Sequence, residues 1–317
     1  MPGMRVPKGV YDAAGRGDAR TLRRLLAAGA DKDEALAPGY GGTALWAAAY
    51  EDHADCVRVL LEAGADTEKG ANGWPMHAAV KGGDARIAAI RGRQGHPECL
   101  QLLLEAGANT EKKDDEGCTP ALLAANQGHT VCLRLLLEAG ADTGKTNGQG
   151  FTPVHFAAGQ GHPECLRLLL EAGADVDKAS LPQGEHAGIW GKNGWTPTHA
   201  AAQHGHTECV RMLLEAWADK DKKTDGNMTP VIIAASAGHH GCVRVLLEAG
   251  ADPDCVDDVL GATALILAAI QGETDCIRLL LDAGADASIA AVNGKTALDF
   301  AESHGHGECA DLLRAAA

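Results

Sequence analysis

The chain has 317 residues, 45% of them hydrophobic, and a formal net charge of −15. The hydrophobic content is too high for a disordered chain, and no apolar run approaches the roughly 18 residues that a membrane span needs. The acidic balance argues against nucleic acid and anionic lipid as the main ligands, and the first residues lack the apolar segment of a secretory signal. We therefore expect a soluble, intracellular protein, cytoplasmic or nuclear, that inserts into no membrane and binds no nucleic acid.

The positions of the cysteines reveal an internal repeat. Eight of the ten cysteines mostly follow one another at intervals of 33 or 34 residues, and two intervals are longer, 43 and 44 residues. These eight are Cys56, Cys99, Cys132, Cys165, Cys209, Cys242, Cys276 and Cys309. A fixed period of this length indicates a repeat protein, in which each unit packs only on its neighbours.

Within one period the predicted elements follow a constant order, as residues 151–175 (FTPVHFAAGQGHPECLRLLLEAGAD) show. Thr-Pro opens a first short helix, because threonine caps free N–H groups and proline at the first helical position loses no hydrogen bond. Gly-His forms a turn, and a second helix ends at the glycine of Ala-Gly-Ala-Asp. The apolar stripe of the second helix can be covered only by a neighbouring repeat.

These motifs resemble the ankyrin repeat. Thr-Pro-x-His, Ala-Ala-x-x-Gly-His and Leu-Leu-Glu-Ala-Gly-Ala-Asp occur in the order and spacing of that family. The resemblance implies an all-α fold, an ankyrin-repeat solenoid of stacked helix-turn-helix units with β-hairpin fingers between successive repeats. It predicts a single domain over 1–317, whose nine repeats lie at about 8–34, 43–66, 74–108, 119–142, 152–175, 196–219, 229–252, 263–286 and 296–317.

Three departures from the common unit stand out. About twelve extra residues lie at 84–95, between the two helices of the third repeat, and their sequence predicts a short additional helix. Eleven extra residues lie in the finger at 176–193. Trp217 replaces the glycine that ends a second helix, and a bulky left-handed residue costs about 1–2 kcal/mol. We therefore expect the sixth repeat to end differently from the others.

The cysteines and histidines do not predict a reactive site. His-x-x-Cys recurs seven times, but a structural zinc needs four convergent ligands, and here His belongs to a turn whereas Cys belongs to the next buried helix face. Equivalent cysteines of stacked helices lie about 8–10 Å apart, too far for disulfides. We expect eight buried, reduced cysteines and two more reactive thiols in the fingers, Cys118 and Cys255.

No catalytic, cofactor-binding or metal-binding residue is predicted. The histidines of Thr-Pro-x-His are His77, His155 and His199, and nothing in the sequence suggests a catalytic partner for them. In the ankyrin family this histidine stabilises the turn by hydrogen bonding, so the resemblance implies a structural role.

Aromatic residues give the one signal for a binding site. The chain has only 5 Trp, 3 Tyr and 3 Phe, and aromatic side chains are frequent binding hot spots. By the resemblance, the aromatic residues in the fingers and Tyr50 in the first helix of the second repeat line the concave surface. Phe156 and Phe300 are expected at core positions instead. The predicted partner-binding residues are Tyr40, Tyr50, Trp74, Phe151, Trp190, Trp195 and Met228. The alternative is that some of these side chains only cover finger backbone.

The predicted function is that of a non-catalytic protein–protein interaction module, an adaptor, scaffold or inhibitor, that binds another protein as a monomer and needs no cofactor. One alternative is a substrate-recruiting subunit of an enzyme complex such as a ubiquitin ligase. A metal or redox sensor is the other alternative, and the arguments on cysteine and histidine disfavour it.

Overall fold

The computed structural model describes residues 9–35, 42–69, 74–81, 95–180 and 194–316. The predictions for Tyr40, for Trp190 and for an extra helix within 84–95 lie outside these residues. The chain divides into two compact units, residues 1–148 and 149–317.

Each unit is a stack of short helix pairs. In the described part of the first unit the helices are α1 Val10–Gly15, α2 Ala19–Ala27, α3 Ala44–Tyr50, α4 Ala54–Glu62, α5 Pro75–Lys81, α6 Pro97–Glu105, α7 Pro120–Gln127 and α8 Thr130–Glu138. In the second unit they are α9 Pro153–Gly159, α10 Pro163–Glu171, α11 Pro197–Gln203, α12 Thr207–Glu215, α13 Pro230–Ser236, α14 His240–Glu248, α15 Ala264–Gln271, α16 Thr274–Asp282, α17 Ala297–His304 and α18 Gly307–Ala316. Within each unit, first helices pack on first helices and second helices on second helices.

This arrangement confirms the predicted all-α stack. Several finger bases are joined by one backbone–backbone hydrogen bond and one bond from a backbone N–H to a side chain, as in Asp114 with Cys118. The β-bridges among the described residues are Ala35 with Thr43, Val256 with Thr263, and Ala290 with Thr296. The fingers are therefore hairpin-like loops rather than extended β-strands.

The first helices begin where the Thr-Pro motifs predict. The side chain of Thr43 accepts a hydrogen bond from the backbone N–H of Trp46, and Thr119 accepts one from Leu122 in the same way. Both threonines act as N-caps, which satisfy backbone donors that have no partner inside the helix. The opening predicted at Lys8 lies outside the described residues, and α1 begins at Val10 with Gly9 as its N-cap.

The sixth repeat ends as the other repeats do. Trp217 adopts a left-handed backbone with φ of 66°. Its N–H donates to the carbonyl of Leu214, and the N–H of Ala218 donates to Leu213, both at 3.0 Å. This is the glycine-type helix ending, formed without glycine. The expectation of a different ending is wrong, because the indole is 90% exposed and meets no steric obstacle outside its own backbone.

The core contains the cysteine ladder. All eight periodic cysteines are buried free thiols, as predicted, and burial raises the pKa of Cys209 and Cys276 to about 12. Cys118 is only 7% exposed, so the expectation that its finger position leaves it accessible is wrong. Cys255 is half-buried.

Histidines of the Gly-His turns join neighbouring repeats within each unit. His239 donates from Nε2 to the carbonyl of Gln203 at 3.1 Å, and His96 donates to the carbonyl of Tyr50 at 3.0 Å. A Cβ atom on Gly205 would lie 2.6 Å from Nδ1 of His239. The glycine of one turn therefore leaves space for the histidine of the next, which gives the repeated His-x-x-Cys motif a packing role.

Candidate binding site

Two buried histidines position the finger bases of the second unit. The backbone N–H of Thr152 donates to Nδ1 of His155 at 3.1 Å, so this nitrogen is the acceptor and Nε2 carries the proton. Nε2 then donates to the carbonyl of Trp195 at 3.0 Å. His199 makes the corresponding bond to the carbonyl of Met228 at 3.1 Å. These bonds support the structural role that the resemblance implied.

Burial keeps both histidines neutral. Desolvation of the charged imidazole lowers the pKa of His155 and of His199 to about 4, against the small opposing effect of the carbonyl bonds. Near neutral pH, Nδ1 of each ring therefore carries no proton and accepts a hydrogen bond. The two rings connect a first helix to the next finger by hydrogen bonds and do not act as general bases.

The long finger has an ordinary base. Ser180 donates its N–H to the carbonyl of Trp195 at 2.8 Å, and the N–H of Trp195 donates to the hydroxyl of Ser180 at 3.0 Å. Thr224 and Met228 make the same two bonds in the next finger. The eleven extra residues predicted at 176–193 therefore enter after Ser180, and residues 176–180 belong to the finger base.

One groove lies between α9 and α11. Its volume is about 120 Å³, and its lining includes Phe151, Phe156, Trp195, Ala200 and His204. The rings of Phe151 and Phe156 meet edge to face, with centroids 6.2 Å apart. The predicted residues Phe151 and Trp195 thus lie on the same groove.

A second groove lies between α11 and α13. Its volume is about 140 Å³, and its lining residues are Trp195, Gln203, Met228, Ile233, Ser236 and Ala237. Trp195 lines both grooves. The structure therefore brings together three of the predicted partner-binding residues, Phe151, Trp195 and Met228.

The exposure of two of these residues differs from the prediction. Trp195 is 6% exposed and Met228 is 5% exposed, whereas residues predicted to contact a partner were expected to be accessible. The histidine bonds to their carbonyls hold both residues against the first helices. Each side chain therefore forms part of the groove wall and of the core.

Tyr50 and Trp74 lie in the first unit. Tyr50 packs against its own repeat, and Trp74 packs against the finger that follows its repeat. The Tyr50 ring stacks on that of Trp46, with centroids 4.8 Å apart. The Trp74 indole donates to the carbonyl of Lys113 at 2.9 Å, and the ammonium of Lys112 lies 4.1 Å from its ring centroid. Both rings are half-buried, so part of their surface is already used within the chain.

Several groove residues were missed by the sequence analysis. Phe156 was predicted as core, but it is half-buried and lines the first groove, and Phe300 is half-buried as well. Gln203, His204 and Ser236 were not predicted as site residues. Helical spacing could have identified them, because residues three and four positions apart lie on the same face of a helix. Gln203 and His204 lie three and four positions after Ala200, and Ser236 lies three positions after Ile233.

The chemical character of the grooves is uncharged. Among the described residues, their linings contain aromatic, aliphatic, amide, hydroxyl and imidazole groups, but no Asp, Glu, Lys or Arg. Across the described ranges, no three His, Cys, Asp or Glu side chains are arranged to hold a metal ion. None of the helices in the described part of the chain has the length and apolarity of a membrane span. Such grooves can bind apolar side chains and a few neutral hydrogen-bonding groups.

The repeat pattern is matched by known proteins. A family model for ankyrin repeats matches residues 10–90, 85–180, 178–257 and 249–317. The chain belongs to the ankyrin repeat family. The crystal structure of the human ASB11 ankyrin repeat domain is similar to this ankyrin repeat protein, with a TM-score of 0.60 and 29% sequence identity over 77% of this chain and 97% of that chain. A search of the curated proteins finds no match. Ankyrin repeats generally mediate protein–protein interactions and are generally not catalytic.

Proposed function

We propose that this ankyrin repeat protein is a non-catalytic binding module whose partner protein lies along the two grooves on either side of Trp195. The observation that supports this proposal is that Trp195 lines both grooves, whose described lining residues carry no Asp, Glu, Lys or Arg. The mechanism is presentation of a preformed surface, with no covalent chemistry and no cofactor. In this proposal the protein acts as a monomeric adaptor, scaffold or inhibitor in the cytoplasm or nucleus.

The grooves favour a partner with two apolar anchors. Their uncharged lining would leave a charged side chain without a counter-ion, at a cost in desolvation. Adjacent helices pack about 10 Å apart, so the two grooves have a similar spacing. On a helical partner, residues seven positions apart are separated by about 10 Å along the axis. We therefore expect two apolar side chains at that spacing.

The test blocks the grooves without removing their wall. Ala200 and Ala237 line the first and second groove and are half-buried, so Ala200→Arg and Ala237→Arg place a long side chain in each. Ala172→Arg is the matched control, because Ala172 is an exposed alanine at the end of α10. A partner isolated by affinity pull-down is then titrated by calorimetry against all three variants.

We expect each groove variant to weaken binding by tenfold or more, about 1.4 kcal/mol, while its melting temperature stays near that of the parent. The control variant should bind normally. Equal affinity of both groove variants and the parent would place the site elsewhere. The same pull-down addresses the alternative function, since recovery of ubiquitin-ligase subunits would favour a substrate-recruiting role.

Trp195→Ala is a poor test of binding. The indole is almost fully buried, and truncating a buried Trp typically costs about 3–5 kcal/mol of stability. Loss of binding in that variant would therefore not distinguish a contact from a damaged fold.

A further inference from the structure

Exposed apolar side chains are concentrated on two successive fingers. Among the described residues, six large apolar side chains are notably exposed, and four of them lie in the fingers that precede the eighth and ninth repeats. They are Val256 at 36%, Val259 at 48%, Leu260 at 40% and Val292 at 82% exposed, and we call them the tip patch. Contiguous apolar surface of this kind marks interaction sites, whereas single exposed residues need no explanation.

Hydrogen bonds hold the two fingers together. The N–H of Val292 donates to the carbonyl of Leu260 at 2.9 Å. A Cβ on Gly261 would lie 3.0 Å from Cγ2 of Val292, so glycine permits this close approach. The finger before the seventh repeat is joined to them as well, because the side-chain amide of Asn227 donates to the carbonyl of Val256 at 2.6 Å. The patch is therefore one preformed surface rather than four separate side chains.

The turn that carries the patch does not need apolar side chains to fold. The carboxylate of Asp257, which is 1% exposed, accepts hydrogen bonds from the N–H groups of Val259 and Leu260, both at 2.7 Å. It accepts a third from Ala262 at 3.0 Å. Because these bonds involve backbone donors, polar residues at 259 and 260 would support the same turn.

The charge around the patch selects among possible occupants. Residues 249–263 contain four Asp and no Lys or Arg, and the finger of Val292, residues 286–296, adds Asp286 and Lys295, so the surroundings of the patch remain acidic. Of these four, Asp252 and Asp258 are exposed. An acidic surface repels an anionic membrane and a second copy of this acidic chain, but it attracts basic groups.

We propose that the tip patch docks a basic amphipathic segment of another protein, whose apolar face covers the valines and leucine and whose Lys or Arg residues lie beside the aspartates. This surface is separate from the two grooves, and the proposal does not depend on the function proposed for them.

The test uses labelled helical peptides of about 14 residues, long enough to form an amphipathic helix. One is built from Leu and Lys, a second replaces Lys by Glu, and a third replaces Leu by Ser. Binding to the full chain is measured by fluorescence polarisation at physiological salt. The variant Val259→Ser/Leu260→Ser/Val292→Ser removes the three most exposed side chains of the patch, and Val131→Ser is the control, since Val131 is 37% exposed in the first unit.

We expect the Leu–Lys peptide to bind the parent and the control alike, and to lose at least tenfold in affinity for the triple variant. The other two peptides should bind at least tenfold more weakly than the Leu–Lys peptide. If the peptide of Ser and Lys bound as tightly as the Leu–Lys peptide, charge alone would explain binding and the proposal would be wrong. If the peptide of Leu and Glu bound as tightly, the partner would not need to be basic and the proposal would also be wrong. If the triple variant bound the Leu–Lys peptide as tightly as the parent, the tip patch would not be the binding site. Dimerisation of the parent in sedimentation equilibrium that the triple variant abolishes would make a second copy the occupant instead.

Discussion

Nε2 of His155 lies 3.0 Å from the carbonyl oxygen of Trp195, and this hydrogen bond joins the first helix of one repeat to the finger of the next. Nδ1 of the same ring accepts from the N–H of Thr152. A second proton on the ring would break that bond and place a charge in a buried site. Burial is the main reason that the pKa of His155 is lowered to about 4.

Acid is therefore expected to destabilise the second unit through His155 and His199. The pKa of each is about 4 when folded, against about 6.5 for an unperturbed histidine, so the unfolded chain binds protons more readily. Their contribution to stability is fully present above about pH 6.5 and is lost as pH falls through the folded pKa. It amounts to roughly 3 kcal/mol for each histidine. Urea unfolding between pH 7 and pH 4 measures the change.

The chain supplies its own control for this prediction. Leu122 and Ile232 occupy the same position in the fourth and seventh repeats, so leucine is compatible with the helix. The double variant His155→Leu/His199→Leu should be less stable at pH 7, because each histidine loses the bond that its Nδ1 accepts and the bond that its Nε2 donates. Its free energy of unfolding should nevertheless vary less with pH. A pH dependence as steep as that of the parent would show that other groups control acid sensitivity.

The same histidine bonds explain which features could be predicted from the sequence. Helix starts, turns and the buried cysteine ladder depend on residues within one repeat, and the motifs predict them. Cys118, Trp195 and Met228 each precede a Thr-Pro motif, and each carbonyl accepts a hydrogen bond from a histidine of the preceding repeat. All three were predicted to be accessible, and all three are less than 8% exposed. Their burial depends on a contact across 29 to 41 residues, which no local motif contains.

Trp217→Gly is expected to stabilise the protein by about 1 kcal/mol. Left-handed backbone strain of about 1–2 kcal/mol is relieved, and part of the gain is offset by the greater freedom of glycine in the unfolded chain. The indole is 90% exposed, so little packing is lost. Gly173→Trp is the matched reverse change in the preceding repeat, where φ is 76°, and it should lower stability by a similar amount. Urea unfolding measures the free energy of unfolding of both variants. A lower stability of Trp217→Gly would show that contacts of the indole outweigh the backbone strain.

Deletion of residues 84–95 is expected to preserve the fold. The N–H of His96 donates to the carbonyl of Ala79 at 2.8 Å, as His53 donates to Ala48 in an ordinary repeat. The bond between His96 and Ala79 is therefore the one that closes an ordinary turn, and the deletion restores the ordinary number of residues between these two positions. Because contacts in repeat proteins are mainly between neighbours, the melting temperature should shift by less than about 3 °C. Loss of the helical circular-dichroism signal would show that the insertion is part of the core.

Thiol labelling is expected to modify Cys255 first. All ten cysteines lie in the described residues, and Cys255 is the one that is not buried. Burial and the nearby carboxylate of Asp252, 3.4 Å from its sulfur, raise its pKa to about 11. Because the thiolate is the reactive form, labelling should be slow at neutral pH and rise about tenfold for each pH unit below that pKa.

The other nine thiols should react only after denaturant opens the repeats. Cys255→Ser is the control, and it should abolish labelling of the native protein. Peptide mapping by mass spectrometry identifies the modified residue. Earlier labelling of Cys118 would mean that its finger opens in the native state, and that the bond from His77 to the Cys118 carbonyl, 3.0 Å long, does not keep this position closed.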